Sequence, residues 1–250
     1  MKKHIPNFVT ALNLFSGCIA ILFAVNNQYV MAALFVVLGI FFDFFDGLLA
    51  RKLNVQSAVG LQLDSLADVV TSGVVPGLIM YGLINDALGG DTIFVVENSW
   101  NQSMTWIGGQ IRPLALVGFL ITITSAYRLA KFNVDEDQQS YFKGLPTPAN
   151  ALLVLSLPLI LEFQYNITVS NLFSNVWFLL GFTILSSYLL NANIKLFALK
   201  FNTWDFKSNR LRYLFLVACV LLLVVLKFVA LPVIILLYIL VSALTQKTIS

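Results

Sequence analysis

The sequence predicts an all-α polytopic membrane protein with about eight transmembrane helices. Three observations carry that expectation. Of the 250 residues, 59% are hydrophobic and only 11% charged, against roughly 25% charged in an average soluble domain. The apolar residues gather into eight windows, at 8–25, 28–50, 61–83, 112–132, 149–165, 172–190, 211–228 and 230–246, and a helical crossing takes about 20 residues. None of these windows alternates apolar and polar residues as a barrel strand does. The same composition excludes a disordered chain and a water-soluble globule. No linker or internal repeat divides residues 1–250, which read as a single integral membrane domain.

The first window opens on Pro6-Asn7, is interrupted by Asn13 and lacks a small-residue cleavage site, so it reads as a retained helix rather than a signal peptide. The eight residues Lys52–Val59 join the second and third helices as a short hairpin, which makes the two antiparallel neighbours. A longer outer segment, 84–111, carries Asp86, Gly89-Gly90, Asp91 and Glu97 with Trp100 and Trp106, as expected of a wet loop whose tryptophans rest at the interface. The fourth window ends in Arg128 and Lys131, and Asp135-Glu136-Asp137 reads as a solvated turn before the fifth. Only Lys227 and Pro232 punctuate the last two windows.

Charge placement predicts the orientation. With an inward N-terminus, thirteen of the fifteen Lys and Arg residues fall at or near the cytoplasmic side, Arg112 and Lys227 being the two others. Positive loops stay inside, so both termini are expected in the cytoplasm of a cell-membrane protein. Cys18 and Cys219 sit in apolar windows as small hydrophobes. Nucleic-acid binding is excluded, because no basic stripe with interleaved aromatics lies outside the spans.

Chemistry concentrates in the second and third windows. Asp43, Asp46, Asp64 and Asp68 make up four of the twelve acids, all within or at the edge of spans. An aspartate at a helix centre costs about 2.5–3.5 kcal/mol to insert, so four require compensation. At about 100° per residue, Asp43, Asp46, Gly47, Ala50 and Arg51 share one arc of the second helix, and Gly60, Asp64 and Asp68 form a stripe on the third. Both sets lie roughly 6–12 Å inside the boundary, and four carboxylates are therefore expected to converge across one helix interface. An all-oxygen donor set favours Mg²⁺, Mn²⁺ or Ca²⁺ over zinc, and four carboxylates can hold the two ions of a phosphoryl-transfer site. Small residues at 47, 50 and 60 leave room for a bulky ligand, and Arg51 can pair with a phosphate. An ion or proton pathway is the alternative use of intramembrane acids.

The spelling Asp43-x2-Asp46-Gly47-x2-Ala50-Arg51-x8-Gly60-x3-Asp64-x3-Asp68 matches at every fixed position the signature of the CDP-alcohol phosphotransferases, which the chain thus resembles. The resemblance implies a six-helix core with additional C-terminal helices, and transfer of a phosphoalcohol from a cytidine diphosphate carrier to a second alcohol. It implies that Asp43, Asp46 and Asp64 ligate metal, that Asp68 is both a metal neighbour and the general base, and that Gly47, Ala50, Arg51 and Gly60 contact the cytidine diphosphate. The implied cofactors are two divalent cations, Mg²⁺ or Mn²⁺, with Ca²⁺ an acceptable occupant.

The likeness extends toward the serine-using branch of that family. Pro6-Asn7-x2-Thr10-x2-Asn13-x3-Gly17 is similar to its first helix, placing Asn7, Thr10 and Asn13 beside the CDP-diacylglycerol; interhelical hydrogen bonding is the alternative for these residues. Asp68-Val69-Val70-Thr71-Ser72-Gly73-Val74-Val75-Pro76 resembles its third helix, adding Thr71 to the lipid-nucleotide contacts. Tyr127–Asn133 and Gly144-Leu145-Pro146-x-Pro148 complete the match over about 1–150. Ser72 replaces a phenylalanine and Lys131 an arginine common in that branch. Arg128, Lys131, Asn133 and Lys143 are the expected serine-binding residues, although positive-inside topology alone would place basic residues there. The implied substrates are CDP-diacylglycerol and L-serine, giving phosphatidylserine and CMP, and a homodimer is implied as well. Glycerol 3-phosphate, inositol or choline as acceptor, and cation transport, stand as alternatives.

Overall fold

The computed structural model describes residues 4–89, 112–134, 142–196 and 210–249. The outer segment with Trp100 and Trp106, the acidic turn 135–137 and the N-terminal lysines lie outside them. Helix α1 (Ile5–Val25) turns through Asn26–Gln28 into α2 (Tyr29–Lys52), and α2 through Leu53–Ser57 into α3 (Ala58–Asp68). Asn27 and Asn54 hold these turns in the left-handed region, at φ 58° and 53°, a conformation asparagine tolerates better than most residues. Ser57 then caps α3 by accepting from the Gly60 N–H at 3.0 Å. The second hairpin is thus shorter than the sequence suggests, because α2 extends to Lys52 and α3 begins at Ala58.

Helix α3 does not end at Asp68. It widens into a π-helical stretch, Val69–Val74, and resumes as α4 (Val75–Ala87). The cause is local: Pro76 lacks an N–H and sits at the start of α4, while the Val75 N–H reaches back to the Val70 carbonyl. Together these segments form one apolar stretch of 30 residues, exposed or half-buried up to Leu66 and mostly buried from Ala67 to Asn85. A 3₁₀ turn (Pro113–Phe119) leads into α5 (Leu120–Val134), and β1 (Phe142–Lys143) precedes α6 (Thr147–Phe163). Helices α7 (Ile167–Phe173) and α8 (Val176–Asn191) are bent by 69° at Ser174–Asn175, where the Asn175 side chain caps α8. β2 (Lys195–Leu196) pairs antiparallel with β1, a two-residue ladder that the sequence gives no sign of.

Helices α9 (Arg210–Leu226) and α10 (Ala230–Ile249) fold back on each other. Lys227 takes a left-handed φ of 50°, and the rings of Phe215 and Tyr238 lie 5.7 Å apart. Straight helix between those residues would separate them by about 35 Å. The hairpin tip is pinned to the end of α6, where Gln164 Nε2 donates to the Leu226 carbonyl at 3.0 Å and Gln164 Oε1 accepts from the Val229 N–H at 3.1 Å.

By length and composition, five helical stretches suffice to cross a bilayer, with the bent α7–α8 pair a sixth. Within 212–242 the hairpin separates α9, of 17 residues, from α10, of 20, and α6 is a further apolar helix of 17 residues. The chain is membrane-embedded and helical throughout its core. Val36, Val75, Ile79, Met80, Ile84, Ile121, Leu155 and Leu179 fill the apolar interior. Phe8, Phe15, Phe41, Phe44, Leu221 and Val224 project outward, as lipid contact requires. Polar side chains also join helices; Ser186, for example, donates to Asn150 Oδ1 at 2.6 Å.

Candidate functional site

A cavity of about 610 Å³ opens where the starts of α1 and α3 meet the end of α2. Pro6, Asn7 and Thr10 form one wall, and Asp46, Gly47, Ala50 and Arg51 another. The turn residues Val55–Ser57 and then Ala58, Gly60, Leu61 and Asp64 close the third side. A Cβ added at Gly47 would meet nothing within 4 Å, so the backbone of α2 lies open to whatever fills the space. At Gly60 the same addition would come within 3.1 Å of Asn7 Oδ1 and Ser57 Oγ, so that glycine lets α1 and α3 approach.

The acids gather at the inner end of this cavity. One oxygen from each of Asp43, Asp46 and Asp64 lies within 4.8 Å of the others. Asp43 and Asp64 are in hydrogen-bonding reach of each other across the α2–α3 gap, an approach that two bare carboxylates do not sustain without a proton or cation between them. Thr10 reaches Asp46 in the same way from α1. Asp46 Oδ2 and Asp64 Oδ1 are nonetheless buried with no hydrogen-bond partner. Orphaned carboxylate oxygens in an all-oxygen cluster are what a hard divalent cation satisfies. The donor set therefore fits a metal centre.

Asp68 is held differently from the other three. It is buried beside the trio, and Asn13 Nδ2 donates to its Oδ1 at 3.2 Å. Asn13 Oδ1 in turn accepts from Thr71 Oγ1 at 2.8 Å, and that hydroxyl also reaches the Asn13 carbonyl at 3.2 Å. The expected convergence of four carboxylates is thus three plus one, with the fourth anchored to α1. The same network places Asn13 and Thr71 in hydrogen bonds between helices. Both are fully buried between helices, and neither lines the cavity. Asn7, Thr10, Gly47, Ala50, Arg51 and Gly60 all do.

The four residues expected to bind serine separate. Arg128 is buried and its Nη2 donates to the Gly144 carbonyl at 3.3 Å. Arg128 and Lys131 border a small pocket with Phe132, Leu190, Asn191, Ala192 and Asn193. Asn133 belongs instead to the α3–α5 contact: its Nδ2 donates to Ser65 Oγ at 3.0 Å, and Ser65 Oγ returns a bond to its Oδ1 at 3.2 Å. The side chain of Lys143 lies outside the described residues; its backbone forms β1.

Sequence reasoning passed over Gln56 and Ser57 in the cavity wall and Ser65 as the partner of Asn133. A serine three residues before Gly60 is a readable helix cap. Nothing in the sequence points to Ser65.

Comparison with known proteins places this geometry in a wider group. A family profile described as CDP-alcohol phosphatidyltransferase matches residues 3–186. A protein of Helicobacter pylori (strain J99) named CDP-diacylglycerol–serine O-phosphatidyltransferase is 34% identical over 213 residues, covering 84% of this chain and 79% of the relative. Proteins of the same name from Bacillus subtilis and Saccharomyces cerevisiae are each 34% identical, over 66% and 62% of this chain and 78% and 53% of their own lengths.

Proposed function

The chain belongs to the CDP-alcohol phosphatidyltransferase family, and on that premise we propose that it transfers the phosphatidyl group of CDP-diacylglycerol to the hydroxyl of L-serine, giving phosphatidylserine and CMP. The names of its relatives support the choice of acceptor. The observation that carries the chemistry is the trio Asp43, Asp46 and Asp64, three carboxylates with two orphaned oxygens at the inner end of a 610 Å³ cavity.

In this reading the cavity receives the cytidine diphosphate portion of the lipid. Gly47 and Ala50 let it lie close to α2, and Arg51 pairs with a phosphate. Asn7 and Thr10 supply polar contacts from α1. The carboxylate trio, with Asp68 beside it, holds two divalent cations, Mg²⁺ or Mn²⁺. Cations held there would supply positive charge to the diphosphate oxygens.

The serine oxygen forms a bond to the phosphorus that carries the diacylglycerol, and the anhydride bond from that phosphorus to CMP breaks. Asp68 takes the hydroxyl proton as the new bond forms. The Asn13 amide donates to Asp68 Oδ1 and so fixes the carboxyl's orientation. A positioned base of this kind contributes about 10²–10⁴-fold. Arg128 and Lys131 supply positive charge for the serine carboxylate.

The protein works in the cytoplasmic membrane with both termini and the cavity mouth facing the cytoplasm; the crowding of basic residues on that side supports this orientation. The resemblance supports a homodimer, which the mass of the detergent-solubilised particle checks. The test of function is purified protein with CDP-diacylglycerol, Mg²⁺ or Mn²⁺, and a panel of acceptors, scored for CMP and for product mass. Serine-dependent CMP release with phosphatidylserine formed is expected. CMP with inositol, glycerol 3-phosphate or choline alone would reassign the acceptor, and none with any acceptor would overturn the reading in favour of cation transport.

A further inference from the structure

Resting on that proposed reaction, we infer that Asn191 is a specificity-determining residue whose Oδ1 accepts the α-ammonium of the amino-acid acceptor, while Arg128 and Lys131 take its carboxylate. Asn191 ends α8 and lies beyond residues 3–186, the span the family profile matches.

The small pocket on α5 and the end of α8 is lined by two cations, Arg128 and Lys131, and by two amides, Asn191 and Asn193. Its volume is about 30 Å³, against roughly 10–15 Å³ for one water. It suits the charged end of a small molecule and not a lipid or nucleotide. Arg128 is more than nine-tenths buried at this site, with 8% of its surface exposed.

The orientation of the Asn191 amide is fixed on one side, because Nδ2 donates to the Thr124 carbonyl at 3.0 Å. That leaves Oδ1, which is buried and has no hydrogen-bond partner. An orphaned acceptor asks for a donor. A phosphate or a lone carboxylate has no N–H to give. An ammonium has three. A ligand that places an anion on Arg128 and a cation on Asn191 Oδ1 is a zwitterion, the chemistry of an amino acid.

The pocket also lies at the right depth. Helices α3 to α4 and α5 run antiparallel in a register fixed at two points: Ser65 bonds Asn133, and a Cβ on Gly73 would sit 3.2 Å from Ser125 Cβ. Counting between those points sets Arg128 opposite Val70, two residues from Asp68. At 1.5 Å per residue the axial offset is about 3 Å. An acceptor held by its charged groups in this pocket therefore has its hydroxymethyl arm at the level of the proposed base.

The experiment compares serine kinetics of the full-length wild type, Asn191→Ala and Asn191→Asp. Asn191→Ala should raise the serine KM about tenfold or more with the CDP-diacylglycerol KM within twofold. Asn191→Asp keeps an acceptor for the ammonium but cannot donate to Thr124, so its serine KM should fall below that of Asn191→Ala. A packing role through Thr124 predicts the reverse, an aspartate no better than alanine, and that result overturns the inference. So does an unchanged serine KM in Asn191→Ala. Should the alanine variant not fold, a serine KM for Asn191→Asp within threefold of wild type supports the inference and a tenfold rise overturns it. A wild type that releases no CMP with serine defeats the underlying reaction instead, a distinct outcome.

Discussion

At Gly39 an added Cβ would land 2.6 Å from Thr71 Cγ2 and 2.8 Å from Asn13 Oδ1, whereas at Gly47, two turns along the same helix, it would enter open space. Gly47→Leu should therefore fold, with a melting temperature equal to or above wild type because glycine costs about 1 kcal/mol in a helix interior. Its KM for CDP-diacylglycerol should nevertheless rise tenfold or more, since the side chain occupies the cavity. Gly39→Leu should instead lose stability by at least about 1–3 kcal/mol, read as a lowered melting temperature. At the acids, Asp68→Asn keeps the oxygen that Asn13 holds and loses the base. Turnover should fall about 10²–10⁴-fold while equilibrium binding of CDP-diacylglycerol stays within a few-fold. A robustly active Asp68→Asn enzyme would dismiss that role. Arg128→Ala should raise the serine KM and spare lipid-nucleotide affinity; the opposite pattern would move Arg128 out of the acceptor site.

Between elements, the polar seam of Asn13, Asp68 and Thr71 binds α1 to α3 and its π-helical extension. Thr71→Val preserves shape and deletes the hydroxyl, which should cost about 1–3 kcal/mol by orphaning the asparagine oxygen, measurable by thermal unfolding in detergent. This seam was only half legible in the sequence. The 100° wheel put Asp43, Asp46 and Gly47 on one face because helical period is local information. That Asn13 would grip Asp68 depends on how α1 crosses α3, which no spacing within either helix reveals. Likewise the Pro76 break was readable from a missing N–H, but its resolution as a wide turn over Val69–Val74 was not.

Across the whole molecule, the apolar windows and charge bias sufficed to predict a helical membrane protein, since bilayer thickness imposes span length directly. They did not reveal that Gln164 would hold the turn between α9 and α10, a contact between residues more than sixty apart in sequence. Gln164→Leu should free that hairpin and lower the melting temperature with little change in the CDP-diacylglycerol KM. Topology has its own check. In a background lacking Cys18 and Cys219, a cysteine at Gln56 should react with an impermeant thiol reagent only from the cytoplasmic side, and one at Tyr165 only from the other. Labelling of both from one side would reverse or break the proposed arrangement. Chelation should abolish CMP release, and Mg²⁺ or Mn²⁺ should restore it; activity indifferent to chelators would remove the metal from the mechanism.

The widened turn at Val69–Val74 takes six residues for a rotation that ordinary α-helix makes with about five. Removing one residue from that stretch would therefore let the helix close at its ordinary pitch while Ile79, Met80 and Ile84, which have no exposed surface, kept facing the neighbours they now meet. The same deletion a turn earlier, within Ala58–Asp68, has no surplus to draw on and would turn one side of the helix against the other by about 100°. A single-codon deletion should accordingly be absorbed within 69–74 and disrupt the fold within 58–68, read as retained or lost thermal unfolding in detergent.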